Sequence, residues 1–338
     1  MKTIDNQYLK PFNTFGIDAK SNFFIQLNTE KDVYDFINNY DDVQQPIYFL
    51  GSGANTLFTQ DYSGTIVHIH TKGVKLIEED ENNIFLSVKA GEIWDDLVDY
   101  CVQNNYYGIE NLVAIPGTVG AAPIQNIGAY GVEAKDSIHQ VIFYDLNDRE
   151  IKKLSNQDCQ FSYRNSIFKT ALKNQFLITE VIFKLSKKGK LNLNYGSIND
   201  ELKKQNIIEP NLSELSNTIR NIRNSKIPDI QEIGNAGSFF KNPIISKDQF
   251  LELTIKFPNI VSYPADENSV KIAAGWLIEN ANLKSFHIGG AAVHDKQALV
   301  LINSNNASGN DVVRLSKYIQ SQIQNKYQIT LDTEVIFV

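Results

Sequence analysis

Two uncharged glycine-rich stretches and three isolated polar side chains are where this sequence could do chemistry. The first stretch, Gly51-Ser52-Gly53-Ala54-Asn55-Thr56, directly follows the apolar run Ile47-Tyr48-Phe49-Leu50. Glycines let successive backbone N–H groups converge on one concavity, which cradles a phosphate without cations. No Lys-Ser/Thr pair follows, so this is not a Walker A loop, and the spacing is not that of a dinucleotide fingerprint. Alone, such a string is more often a plain turn. The second stretch, Ile115–Gly131, lies in a window with no charged residue between Glu110 and Glu133. Its Gly, Ala and Pro content suits backbone lying against a flat, uncharged ligand, with Thr118, Gln125 and Asn126 as hydrogen-bonding groups. A tight structural loop between domains explains it equally well. Arg164, Ser238 and Glu334 complete the set. Singly they read as a surface ion pair, a turn serine and a solvated strand-start acid, and no Ser-His-Asp or Cys-His arrangement joins them.

The elements that would position these groups alternate between helix and strand. Thr29 can cap a helix with Val33, Phe36, Ile37 and Tyr40 on its apolar face and Asp32 in the capping-box position. Strands are expected at Ile47–Leu50, Thr65–Ile69, Ile84–Val88, Val141–Tyr144 and Phe176–Lys184. A helix follows Gly91, with Ile93, Trp94, Leu97, Val98, Cys101 and Val102 inward. The polar, weakly periodic stretch from Ser186 to Asn211 suggests a mobile loop at a domain boundary. Beyond it, Ser213 opens a helix carrying Leu215, Ile219 and Ile222. Another helix is expected over 270–280, a strand at Ala298–Asn303, a helix over about 311–326, and a closing strand at Val335–Val338. The class is mixed α+β in two or three domains.

The 338 residues exceed what one core usually spans, and 42% apolar with 21% charged residues is ordinary for globular proteins. A net charge of -7 argues against a nucleic-acid binder. The first residues contain no apolar run of the signal-peptide kind, and no stretch is long enough for a membrane span. A cytoplasmic protein is expected. Two cysteines and five histidines show no metal-ligand spacing, and Cys101, on an apolar helix face, reads as a buried structural thiol.

Taken together, the segments resemble the UDP-N-acetylenolpyruvoylglucosamine reductases (UDP-N-acetylmuramate dehydrogenases), in the branch with a tyrosine-bearing substrate loop. The resemblance runs nearly end to end. It takes in Asn13-Thr14-Phe15-Gly16, Gly51–Leu57, Gly91-Glu92-Ile93-Trp94, Gly108-Ile109-Glu110-Asn111-Leu112, Ile115–Gly131 and Tyr163-Arg164-Asn165-Ser166. It continues through Gly234–Asn242, Gly275-Trp276-Leu277-Ile278-Glu279 and Ile288–His294.

The resemblance implies a two-part FAD-binding module of the PCMH/vanillyl-alcohol-oxidase type plus a C-terminal α+β substrate-binding domain. The expected boundaries are 1–70, 71–212 with a substrate loop near 190–205, 213–320, and a segment 321–338 returning to the flavin site. It further implies non-covalent FAD held by Gly51, Ser52, Gly53, Ala54, Asn55, Thr56, Leu57, Pro116, Gly117, Thr118, Gly120, Ala121, Ile124, Gly128 and Arg164. Some members carry Ser where this chain has Ala121 and Ala122, so main-chain contacts are expected there. NADPH would reduce the flavin, and hydride would then pass to the enolpyruvyl group of UDP-N-acetylglucosamine enolpyruvate. Arg164 and Glu334 would stabilise the charge that develops, and Ser238 would supply the proton, with Lys241 a candidate neighbouring cation. The nucleotide sugar would meet Tyr195, Lys226, Asn242, Tyr263, Lys284 and Gln297. The implied setting is a monomer in peptidoglycan precursor synthesis, and through it in cell shape, division and the cell cycle. An FAD-dependent oxidase or dehydrogenase of the same fold and a non-catalytic nucleotide-sugar binding module are the competing readings.

Overall fold

A computed structural model describes residues 2–338. The chain divides into two units, each built from separated segments. One comprises the chain up to Gln7, Ser21–Ser52 and Ser63–Ser225; the other comprises Tyr8–Lys20, Gly53–Tyr62 and Lys226–Val338. Both mix helix and strand, as expected for an α+β protein.

In the first unit, helix α1 (Glu30–Asn38) starts at the Thr29 capping box: Asp32 N–H donates to the Thr29 hydroxyl, and the Thr29 N–H donates back to Asp32. Its Val33, Phe36 and Ile37 bury against Ile25, Leu27 and Val67. Those residues belong to a sheet ordered Thr3–Tyr8, Lys20–Leu27, Tyr62–Ile69, Ile47–Leu50. A second, antiparallel sheet is ordered Ile151–Ser155, Ile138–Asp145, Phe176–Ser186, Asn83–Lys89, Val74–Glu79. Against it, α2 (Trp94–Gln103) buries Trp94, Leu97, Val98 and Cys101, and burial pushes the Cys101 thiol pKa well up.

Two expectations are corrected in this unit. The stretch 186–211 is not all loop, because α3 (Ile198–Lys204) sends Ile198 and Leu202 into the core. One pair of apolar residues four apart is too short a pattern to read as a period. Helix α4 (Leu212–Lys226) is capped by Asn211 rather than opened by Ser213. Glu214 N–H donates to Asn211 Oδ1, and Glu214 accepts from the Asn211 N–H. Both residue types cap well; the acid three residues after Asn211 selects it.

His68, on the strand Tyr62–Ile69, packs on Phe24 and His70. Burial first, then the positive neighbours His70 and Lys72, pull its pKa down from 6.5 to about 4. The folded protein therefore binds fewer protons than the unfolded chain between those values, so stability falls as pH drops through that window. The expected loss, complete below the folded value, is about 3 kcal/mol. Urea titrations of His68→Phe at several pH values should show a flatter acid limb than wild type; an equally steep limb assigns the sensitivity elsewhere.

The second unit has a sheet ordered Gly234–Ser238, Val300–Asn303, Ala291–Val293, His287–Ile288, and a smaller one ordered Ile244–Ser246, Ser269–Ile272, Ser262–Pro264. Helices α5 (Lys247–Lys256), α6 (Ala274–Asn280) and α7 (Gly309–Tyr327) complete it. Phe239, Phe240, Leu277, Leu315, Ile319 and Ile323 share its core. The helix expected over 270–280 is a strand at Ser269–Ile272 followed by α6. The strand is paired on one edge with the distant Ile244–Ser246 and on the other with its hairpin partner Ser262–Pro264, and β-branched Val270 and Ile272 suit it. The closing strand forms as expected, with Ile336–Phe337 parallel to Thr56–Leu57. Among the described residues no helix is long and apolar enough to cross a membrane.

Candidate active site

In the first unit, Gly51, at the start of the first glycine-rich stretch, meets Thr118 of the second. A Cβ on Gly51 would lie 2.5 Å from Thr118 Oγ1, so only glycine lets the strand-end turn approach the second loop this closely. That loop is laid along the segment Ala90–Trp94. Trp94 N–H donates to Gly117 O (3.1 Å), Val119 N–H to Glu92 O (2.9 Å) and Gly120 N–H to Ala90 O (2.9 Å). Ala121 closes a short 3-10 turn, and Ile124 O accepts from the buried Ser166 hydroxyl at 2.6 Å.

Arg164 is tied to the same loop. Its Nη2 donates to Gly128 O at 2.6 Å and its Nη1 to Asn126 O at 3.4 Å. Its own φ of 52° is left-handed, a conformation that costs a non-glycine residue about 1 kcal/mol or more. Tyr195 sets its ring edge-on to Tyr130 with centroids 6.0 Å apart. Asn111 donates to both Tyr130 O and Asn192 O, which fastens the substrate-loop candidate to the end of the glycine-rich loop.

In the second unit, Ser238 ends a bulged strand. Asn235 pairs with Ile302 and Ser238 with Val300, so Ala236 and Gly237 fill a place meant for one residue, with Gly237 at φ 65°. A bulge of this kind re-aims the following side chain. The buried Asn235 holds it, accepting from Gly237 N–H at 2.9 Å and donating to Pro228 O and Ile233 O. Directly beyond, Glu334 N–H donates to Phe239 O at 2.8 Å and Lys241 N–H to Asp332 O at 2.9 Å. Asn55 Nδ2 donates to Glu334 O at 3.1 Å. Ser238, Glu334 and the turn Gly53–Leu57 thus share one backbone junction, although they are far apart in sequence.

Three of the substrate-binding candidates stand around α6. Asn242 Oδ1 accepts from Ala274 N–H at 2.9 Å. Gln297 Oε1 sits 3.1 Å from where a Gly275 Cβ would be. Lys284, just past the helix, pairs with Glu279 at 2.6 Å. Tyr263 lies on the strand beside Ser269–Ile272, opposite Lys271. Lys226 stands exposed at the C-terminal end of α4. One residue escaped sequence reasoning. Arg223 continues the buried stripe Leu215, Ile219 at the same four-residue spacing, and its Nε donates to Ala114 O at 3.3 Å.

Comparison with known proteins gives the family. Residues 21–155 match the model of an FAD binding domain, and 229–338 match the model of the UDP-N-acetylenolpyruvoylglucosamine reductase C-terminal domain. The UDP-N-acetylenolpyruvoylglucosamine reductase of Flavobacterium johnsoniae is 43% identical, over 99% of this chain and 99% of its own length. The chain belongs to the UDP-N-acetylenolpyruvoylglucosamine reductase family. The enzyme of that name from Shewanella sediminis is 46% identical over 99% of this chain and 96% of its own length. The Neisseria gonorrhoeae enzyme is 44% identical over 96% and 94%. The crystal structure of the Thermus caldophilus UDP-N-acetylenolpyruvylglucosamine reductase shares the fold, with a TM-score of 0.67 at 20% identity, covering 99% of this chain and 98% of that one. The resemblance read from the sequence motifs is therefore borne out.

The first unit also fits the flavin cofactor of this family. Ser52 Oγ, Thr71 Oγ1 and Asn111 Oδ1 are buried without hydrogen-bond partners, and buried polar atoms are rarely left so without a ligand, ion or water. Beside Gly117, at φ 143°, the position of a Cβ meets nothing within 4 Å. An uncharged strip of backbone with open space on one side and unsatisfied hydroxyls at its edge suits a flat ring system with a polar tail.

Proposed function

We propose that this chain reduces the enolpyruvyl double bond of UDP-N-acetylglucosamine enolpyruvate to give UDP-N-acetylmuramate. The junction of Ser238, Glu334 and the Gly53–Leu57 turn carries this reading, because it sets a hydroxyl and a carboxyl-bearing residue beside a glycine turn of the cofactor-binding kind. FAD supplies, when bound non-covalently, two-electron hydride transfer from NADPH to the terminal carbon of the substrate double bond. The main chain of Gly51–Leu57 and Pro116–Ala121 holds it, with Ile124, Gly128 and Arg164. Arrival of hydride leaves negative charge on the adjacent carbon and its carboxylate, which a preorganised cation stabilises strongly in a water-poor site. Arg164 takes that role, and Glu334 shares it. The Ser238 hydroxyl gives its proton to the same carbon, completing the addition of one hydride and one proton.

Tyr195, Lys226, Asn242, Tyr263, Lys284 and Gln297 hold the nucleotide sugar. The regions 1–70 and 71–212 serve the cofactor, 213–320 serves the substrate, and 321–338 returns to the Gly53–Leu57 turn. The enzyme acts as a cytoplasmic monomer in peptidoglycan precursor synthesis, and so bears on cell shape, division and the cell cycle; neither nucleic acid nor membrane is a partner.

The visible spectrum of the purified protein, followed anaerobically, tests the reading. The flavin band should bleach with NADPH and return on adding UDP-N-acetylglucosamine enolpyruvate. Recovery only on admitting air would assign an oxidase of the same fold, and a protein that takes up no FAD would remove the assignment altogether.

A further inference from the structure

Arg223 has a surrounding that the cofactor and substrate assignments above leave unused. Arg223 stands four residues beyond Ile219 on the face of α4 that buries Leu215 and Ile219, and is itself half-buried. Its Nε donates to Ala114 O (3.3 Å), and the N–H of the same alanine donates to Asp95 Oδ1 at 2.5 Å. Ala114, at φ 57°, is thus held from both sides just before the uncharged loop begins.

Asp95 does not serve as the counter-ion of Arg223. Its two oxygens are already taken by Arg220 and by the Ala114 N–H, and Arg220 also reaches Asp99 at 2.6 Å. The two Nη groups of Arg223 make no hydrogen bond among the described residues and are not fully enclosed. Burial is the strongest influence on this guanidinium and lowers its pKa; Tyr130 and Asp95 act the other way, and the like-charged Arg164 repels it. Two arginines therefore stand within electrostatic reach of one another, beside a stretch of 22 residues (111–132) that contains no acid. An anion that accepts from both would relieve that repulsion, and a carboxylate matches the forked geometry of guanidinium donors.

We propose that Arg223 is a second cation of the site and, with Arg164, receives the carboxylate of the substrate, an assignment that rests on the function proposed above. The Ala114 contact orients the Arg223 fork, and Asp95 with Arg220 braces it from the next turn. This explains why a cation stands half-buried where an apolar residue would continue the stripe.

Calorimetric titration of the FAD-loaded protein with UDP-N-acetylmuramate, which has the carboxylate, and with UDP-N-acetylglucosamine, which lacks it, tests the role. Arg223→Gln keeps an amide donor for Ala114 O but removes the charge. It should weaken UDP-N-acetylmuramate by about 10- to 100-fold and UDP-N-acetylglucosamine by less than about 2-fold. Arg223→Lys should recover part of the loss. Equal weakening of both ligands, or a fall in thermal stability and FAD content with their affinity ratio unchanged, overturns the role and leaves Arg223 as a structural clamp. A weaker KM for NADPH with unchanged UDP-N-acetylmuramate binding overturns it as well, by moving the anion to the dinucleotide phosphate. A wild type that binds neither nucleotide sugar removes the proposed function itself, and this role with it.

Discussion

Ser238→Ala leaves the anaerobic reduction of bound flavin by NADPH at the wild-type rate and lowers turnover of the enolpyruvyl substrate by about 10²- to 10⁴-fold, the usual contribution of a positioned proton donor. The separation arises because one half-reaction needs a proton at the substrate carbon and the other does not. The structure favours a selective effect, since Ser238 ends its strand and a methyl group in place of the hydroxyl leaves the supporting contacts intact. Those contacts come from Asn235, from Glu334 N–H on Phe239 O and from the pairing with Val300. Stopped-flow traces of the two half-reactions decide the matter. Equal slowing of both would point to a displaced cofactor, and normal turnover would take the proton-donor role away from Ser238.

Gly53→Ala is expected to unfold or empty the second unit's part of the site. At φ 67° an added Cβ would overlap Phe12 O and lie 2.8 Å from Asn13 Cα. Neither neighbour can yield. Asn13 is buried and donates to Leu9 O and Ile17 O while accepting from Ile17 N–H. Left-handed strain of about 1–2 kcal/mol adds to the overlap, for a total of roughly 3–5 kcal/mol. Gly16→Ala separates the two effects: its φ of 63° carries the same strain, but among the described residues an added Cβ would approach only Asn303 Nδ2, at 4.0 Å. Urea unfolding with FAD content as a second readout should show Gly53→Ala far more damaged than Gly16→Ala. Equal losses would mean that conformation alone, rather than close approach, requires glycine at this turn.

Much of the site was legible because its signals are local. The Thr29 capping box needs only residues three apart, and the helix holding Trp94 and Cys101 shows its face within ten residues. The loop 115–131 declares itself through composition, and the motif strings lie in an order that marks the family. The helix expected over 270–280 failed for want of long-range information. Ser269–Ile272 is a strand because Ile244–Ser246 and Ser262–Pro264 flank it, and no window centred on Val270 contains both partners.

By itself, then, the sequence determined the α+β class, most helix positions, the two glycine-rich strips and the motif order that marks the family. Tertiary structure alone decided that Gly51 meets Thr118, that Asn55 holds Glu334 beside Phe239, that a bulge at Ala236–Gly237 precedes Ser238, and that Arg223 reaches Ala114 O. The physical reason is range. Caps, turns and amphipathic stripes are set by neighbours within about four residues. Close backbone approach, strand register and the field felt by a buried charge depend on partners that the chain brings together only when it folds.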